Sequence, residues 1–376
     1  MRYTPFRMER YQSTYEHRVH YNLSESGVHP MTVGELIEIA GVDVPVDDIR
    51  LGYGQSNGSD GLRHLIADLY PGATAASVLV TVGGAEANFT CFWHLFESEG
   101  KAAIILPTYG QVPGLLESFG SRLSPVQLLE QNGWQPDLEA LERALAEGVR
   151  FVLVTNPNNP TGVSLTRESM DAIAELTERH GAWIMADEVY AGAETNVDMN
   201  AEATPSFWGC HDRVLITNSL SKAYGLPGLR LGWIVGPSHQ IGELWGRTDY
   251  TTIAPANVSD ALACVALEPN TRARIIERTR GIVRANLGVL KSWMAEQRGR
   301  FSYQSPDAGA ICYARYDAAI NSTEFAEKLR LEKDVLVVPG DHFGMDHYLR
   351  IGFGNPPDEL IKALELVREA FDEVTA

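Results

Sequence analysis

Along the first two thirds of the chain, short aliphatic runs alternate with longer segments whose apolar positions recur every three or four residues. The runs at 77–82, 102–106, 151–154, 182–186 and 214–217 are of strand length and apolar at nearly every position. Continuous apolarity, as opposed to strict alternation, predicts strands covered on both faces, as at the centre of a parallel sheet. The segments between them predict helices. Asp137 can cap one whose Leu138, Leu141 and Leu145 share a face, and Thr166 can cap another that stops at Gly181. Together they predict an α/β unit built from βαβ crossovers around a mostly parallel sheet.

The last third changes pattern. A long helical stretch from about Asn270 to Arg298 precedes short strands at 310–313 and 349–352, and a final amphipathic helix carries Leu360, Leu364, Val367 and Phe371 on one stripe. We expect a segment 1–45 that covers the site and joins the small lobe, a large domain 46–260, and a small α+β domain 261–376.

Charge and composition then exclude classes of partner. The 376 residues are 44% hydrophobic and carry 49 acidic against 31 basic side chains, a net charge of −18. That balance opposes attraction to phosphate backbones or anionic lipid, so neither nucleic acid nor membrane is an expected partner. No apolar stretch approaches the ~18 residues a membrane helix needs. The four cysteines, Cys91, Cys210, Cys264 and Cys312, are widely spaced without a Cys-x-x-Cys pair. They predict buried small hydrophobes in a reducing, cytoplasmic compartment.

Several chemistries lose their signature. Gly52-Tyr53-Gly54 is followed by Asn57 where a dinucleotide fingerprint needs glycine, and there is no phosphate loop, His-Glu-x-x-His pair or Gly-x-Ser-x-Gly elbow. What remains are polar groups placed just after predicted strands, where open α/β sheets bind ligands. Asn156-Pro157-Asn158-Asn159-Pro160 follows one strand, Asp187-Glu188-Val189-Tyr190 the next, and Ser219-Leu220-Ser221-Lys222 a third. Singly, the first can be a turn and the second a helix cap. In this order they bring an amide, a carboxylate, a phenol and an amine to one crevice.

With these motifs the sequence resembles the fold-type-I pyridoxal-phosphate enzymes, in particular the class I/II aminotransferases, from about Leu51 to Phe353. The stretch from Ser219 through Lys222 to Arg230 carries most of the likeness. The resemblance implies a large domain with a mostly parallel seven-stranded sheet plus a small α+β domain, and pyridoxal 5′-phosphate as cofactor. It makes Lys222 the imine-forming lysine and proton carrier, Asp187 the partner of the pyridinium nitrogen, and Asn159 and Tyr190 the partners of the ring oxygen. The phosphate falls to Gly84, Ala85 and Glu86 at a helix start, with Ser219, Ser221 and Arg230, and Tyr109 stacks on the ring. Tyr53 resembles a tyrosine that reaches the neighbouring subunit's cofactor, which implies a homodimer with composite active sites. Arg350 resembles the arginine that grips a substrate α-carboxylate, a task suited to its planar fork.

One region departs from the family. Where a Gly-x-Gly-x-Pro-Asp-like stretch is usual, this chain has Ser24-Glu25-Ser26-Gly27-Val28-His29-Pro30. The preceding residues place Glu9 and Glu16 seven apart, on one face if helical. The N-terminus looks like that of capreomycidine-synthase-like cyclases and pyridoxal-phosphate-dependent arginine oxidases. That likeness implies carboxylates such as Glu9 and Glu16 receiving a guanidinium, Ser26 and Gly27 bordering the substrate, and His29 acting as a base near Cβ or Cγ. The expected activity is therefore chemistry at Cα of an L-amino acid, most simply amino transfer. The alternative is cyclisation, elimination or oxidation of arginine or a hydroxyarginine. A cofactor-binding regulator without turnover is a third reading, disfavoured by the net charge.

Overall fold

The structure, a computed structural model, describes residues 3–42, 44, 46–120, 123–196 and 203–375. Eight strands form the main sheet: β1 (Val78–Thr81), β2 (Ala102–Leu106), β3 (Leu123–Leu129), β4 (Gln135–Pro136), β5 (Phe151–Thr155), β6 (Trp183–Asp187), β7 (Val214–Ser219) and β8 (Gly232–Val235). Their order is β1-β8-β7-β6-β5-β2-β3-β4. The central five, β7 to β3, run parallel, whereas β8 is antiparallel to both neighbours and β4 folds back antiparallel on β3. The expected count of seven is corrected to eight, the addition being the two-residue β4.

All residues of β5, β6 and β7 are buried, as their continuous apolarity predicts. Parallel register sets their carboxyl ends side by side: Thr155 pairs with Asp187, and Asp187 with Thr217. Helices cover both faces. Asp137 caps α3 (Leu138–Ala146) by accepting from Ala140 N–H at 2.9 Å, and Thr166 caps α4 (Arg167–Arg179) by accepting from Ser169 N–H at 3.1 Å. Helix α2 (Gly83–Glu99) springs from β1 and points its N-terminus at the same strand ends.

The small lobe is an antiparallel sheet in the order β9-β10-β12-β11, formed by β9 (Phe301–Tyr303), β10 (Ile311–Tyr316), β11 (Val338–Pro339) and β12 (Tyr348–Gly352). It packs against α6 (Ser322–Lys333) and α7 (Pro357–Thr375), with Phe325, Leu360, Val367 and Phe371 fully buried. The large core runs on through Leu262, Leu267 and Ile275, and α5 (Pro269–Glu296) enters the small core only at Val283. That places the change of core later than residue 260.

The N-terminal segment ties both lobes. Helix α1 (Arg7–Tyr15) lies on the small lobe, where the Arg330 guanidinium sits 3.9 Å from the Tyr15 ring centre. Tyr21–Asn22 then pairs in parallel with Val335–Leu336, and Leu23 and Val28 join the small core. At Gly352 a Cβ would overlap the Glu25 carbonyl. Gly352→Ala is therefore expected to cost about 1–3 kcal/mol and to weaken substrate binding by displacing residues 24–26; a thermal melt and KM check both.

Cys91 and Cys312 are buried as expected, whereas Cys210 is exposed in a surface turn and Cys264 is only partly covered. Among the described residues no helix is long and apolar enough to cross a membrane.

Candidate active site

A crevice of about 390 Å³ opens at the carboxyl ends of β5, β6 and β7, between the lobes and under α1. Asp187, the last residue of β6, is buried at its floor. Asn88 Nδ2 of α2 donates to its Oδ2 at 2.7 Å and Val189 N–H to its Oδ1 at 3.2 Å. Asn88 is itself oriented by Thr217 Oγ1, which donates to its Oδ1 at 2.6 Å. Burial raises the Asp187 pKa, partly offset by these donors. Asp187 makes no ion pair among the described residues. A buried carboxylate of this kind fits a cationic ring nitrogen.

Lys222 follows β7, with Nζ 3.4 Å from Glu25 Oε2. Burial works against its charge, but the Glu25 carboxylate and Tyr190 outweigh it and hold the amine above the usual lysine range. The same pairing, led by Lys222, holds Glu25 below the usual carboxylate range. Tyr190 is buried and donates to Ser26 Oγ at 2.8 Å. Asn159 Oδ1 accepts from Arg350 Nη1 at 2.9 Å, so the amide nitrogen is the end turned to a ligand oxygen.

At the other end of the crevice stand Gly84 and Ala85 of the α2 N-terminus, with Ser219, Ser221 and Arg230. Unsatisfied N–H groups at a helix start, a hydroxyl pair and a guanidinium form a site for a dianionic phosphate. Gly83 adopts φ +78°, and a Cβ there would strike the Arg230 guanidinium, so glycine lets the arginine close on the helix end. The Glu86 carboxylate is taken up elsewhere: it accepts from Val82 N–H at 2.6 Å and from Thr252 Oγ1 at 2.7 Å, and Glu86 does not line the crevice. Tyr109 forms one wall and donates to Glu9 Oε2 at 3.2 Å, with Phe6 edge-on at 4.9 Å. A ring nitrogen partner, an amine and a phosphate cradle lie in the order that pyridoxal phosphate requires, so the residues present fit that cofactor.

Arg350, on β12, is 1% exposed. Besides Asn159, it donates to the Ser24 carbonyl and to Gln12 Oε1 at 3.4 Å, and its Nη1 lies 3.5 Å from Met8 Sδ. Its Nε is buried without a partner among the described residues. Glu9, Gln12 and Glu16 of the α1 region line the crevice together with Glu25 and Ser26. Burial, followed by the charges of Glu25 and Glu9, raises the Glu16 pKa, the mark of carboxylates crowded without enough cation.

One expected residue lies elsewhere. His29 does not line the crevice; its Nδ1 is 3.1 Å from the Gly354 carbonyl and its N–H donates there too. Tyr53 is 91% exposed and borders a second hollow of about 690 Å³ that shares Arg230 with the crevice. Gly27 is next to the site, since a Cβ there would come within 3.3 Å of Lys222 Cδ. Asn88, Gln12 and Met8 also line the crevice, and no motif marks them. Met8, Gln12 and Glu16, spaced by four, were the visible signal for the last two.

The chain is similar throughout to known proteins. The family model "Aminotransferase class I and II" matches residues 46–367. Capreomycidine synthase of Streptomyces vinaceus is 31% identical over 93% of this chain and 89% of its own length. A solved PLP-dependent aminotransferase from Streptococcus suis superposes with a TM-score of 0.91 at 31% identity, over 100% of this chain and 99% of that one. The solved PLP-dependent cyclase OrfR gives 0.87 at 26% identity, over 99% and 98%. On this match the chain belongs to the class I and II aminotransferase family of pyridoxal-phosphate-dependent enzymes.

Proposed function

We propose that the enzyme acts on a guanidinium-bearing L-amino acid, a hydroxyarginine, and cyclises it with the α-amino group retained, the Cβ hydroxyl leaving as water and a guanidinium nitrogen bonding to that carbon. The observation that carries this reading is that Glu9 of α1 and Glu16 at its C-terminal end line the same crevice as the buried donor Arg350. An amino acid gripped at its α-carboxylate by Arg350 would extend its side chain toward those carboxylates. A guanidinium there would relieve the crowding that raises the Glu16 pKa. The likeness to capreomycidine synthase and to a cyclase supports the same choice of chemistry.

When bound, pyridoxal phosphate supplies a sink for the electron pair left when Cα loses its proton. The protein's own part is positional. Lys222 would take that proton at Nζ, and Asp187 would keep the ring nitrogen protonated. Asn159 and Tyr190 would hold the ring oxygen, and the α2 N-terminus with Ser219, Ser221 and Arg230 would anchor the phosphate. Tyr53, with exposed Leu51 beside it, would meet a second copy of the chain at the hollow that shares Arg230. That placement supports a homodimer with composite sites.

Incubating the purified enzyme with L-arginine and with β-hydroxyarginine, with and without a keto-acid acceptor, tests the reading. A cyclic amino acid formed from β-hydroxyarginine without acceptor is expected, with L-arginine, which carries no leaving group, as the uncyclised control; acceptor-dependent keto-acid formation would refute cyclisation. Glu9→Gln and Glu16→Gln should each raise KM for the guanidinium substrate about tenfold, the effect of one charge-assisted hydrogen bond. Cofactor affinity should be unchanged. Unaltered KM in both would place the guanidinium elsewhere.

A further inference from the structure

The third carboxylate, Glu25, is placed differently from Glu9 and Glu16. Its Oε2 is 3.4 Å from Lys222 Nζ, and the backbone on either side of it is locked to the site. The Ser24 carbonyl accepts from Arg350, Ser26 Oγ accepts from Tyr190 at 2.8 Å, and the Ser26 carbonyl accepts from Ala310 N–H at 3.3 Å. At Gly27 even a methyl group would press on the Lys222 stem. Residues 24–27 thus run along the lysine and aim one carboxylate at its amine.

We propose that Glu25 is a catalytic carboxylate that holds the Lys222 ammonium once it has taken the substrate's Cα proton, and so suppresses amino transfer. The inference rests on the reading of Lys222 as the base of a reaction that keeps the amino group. In the step itself the Nζ lone pair forms a new N–H bond, and the Cα–H pair remains on the substrate carbon. Glu25 stays ionised throughout and exchanges no proton. Amino transfer needs the same proton delivered onward to a second carbon, and an ammonium held by a carboxylate is a weaker acid for that delivery.

The groups facing Lys222 decide which effect wins. Arg350 opposes its charge and Tyr190 supports it, but the Tyr190 hydroxyl is committed to Ser26. Glu16 feels the charge of Lys222 but makes no ion pair with it. Glu25 is therefore the carboxylate able to act on this amine directly.

The test compares the wild-type holoenzyme with Glu25→Gln and Glu25→Asp. The pH midpoint of the visible absorbance change, which reads the proton on the Lys222 nitrogen without any substrate, should fall in Glu25→Gln by about one unit, roughly a tenfold change in proton affinity. Glu25→Asp should restore part of it, and cofactor affinity should stay unchanged. With β-hydroxyarginine and pyruvate, Glu25→Gln should raise the yield of keto acid relative to retained-amine product about threefold to tenfold by the same shift. An unchanged midpoint overturns the proposal. So does an unchanged midpoint with a raised KM for β-hydroxyarginine, which would make Glu25 a third guanidinium ligand. Because the midpoint is measured without substrate, it stands or falls separately from the substrate reading, which the Glu9 and Glu16 variants decide.

Discussion

Lys222→Ala is expected to abolish the visible absorbance of the bound cofactor and to cut turnover by about 10⁴-fold or more. Two losses combine in that one side chain. The amine is the only nucleophile of its kind lining the crevice among the described residues, so the covalent hold on the cofactor goes with it. The proton carrier goes as well, a contribution of about 10²–10⁴ in rate by itself. The fold should survive, because Leu220 and Ala223, which flank the lysine in the core, are untouched, and the lysine's partner Glu25 is half exposed. Absorbance spectra of the purified variant, with circular dichroism as the control for folding, check the prediction. A persisting band would remove Lys222 from its role, and Glu25 with it.

How much of this was visible in the chain depends on whether the signal was local. The buried strands β5, β6 and β7 were readable because a fully covered strand has no polar face, and their polar C-terminal neighbours marked the crevice. Strand β3 was not, because Pro125 and Gln127 are exposed on a strand near the sheet edge. Strand β8 was hidden behind the Lys222–Arg230 motif, and the two-residue β4 is too short to leave a period.

Within the site, Asp187, Lys222, Arg230 and Arg350 were placed by their motifs. Asn88 and Gln12 act through partners 99 and 338 residues away, which no local pattern encodes. His29 shows the converse: its chemistry suggested a base, but its ring faces the Gly354 carbonyl on the small-lobe side. The carboxylates divided in the same way. Spacing put Glu9 and Glu16 on one face, but only the fold showed that Glu25 addresses the lysine.

Asp187→Asn is expected to lower kcat by about 10³-fold, the cost of losing one preorganised electrostatic contact to the charge that develops in the reaction. The same substitution should have the opposite effect on the cofactor-free protein, and the sign follows from burial. Burial raises the Asp187 pKa in the folded state, so the folded chain favours the protonated carboxyl. The stability this group allows is complete below its unfolded value of about 3.9 and is lost as pH rises through the folded value. Asparagine removes that loss. It also forfeits one of two acceptors, the 3.2 Å bond from Val189 N–H, at about 1 kcal/mol that does not vary with pH. The difference in Tm between variant and wild type should therefore shift in favour of asparagine as pH rises from about 4 in the cofactor-free proteins. Adding pyridoxal phosphate should reverse the shift, because the ring nitrogen gives the ionised Asp187 the cation it lacks. A difference that does not vary with pH would mean that Asp187 is not the charged floor of the site.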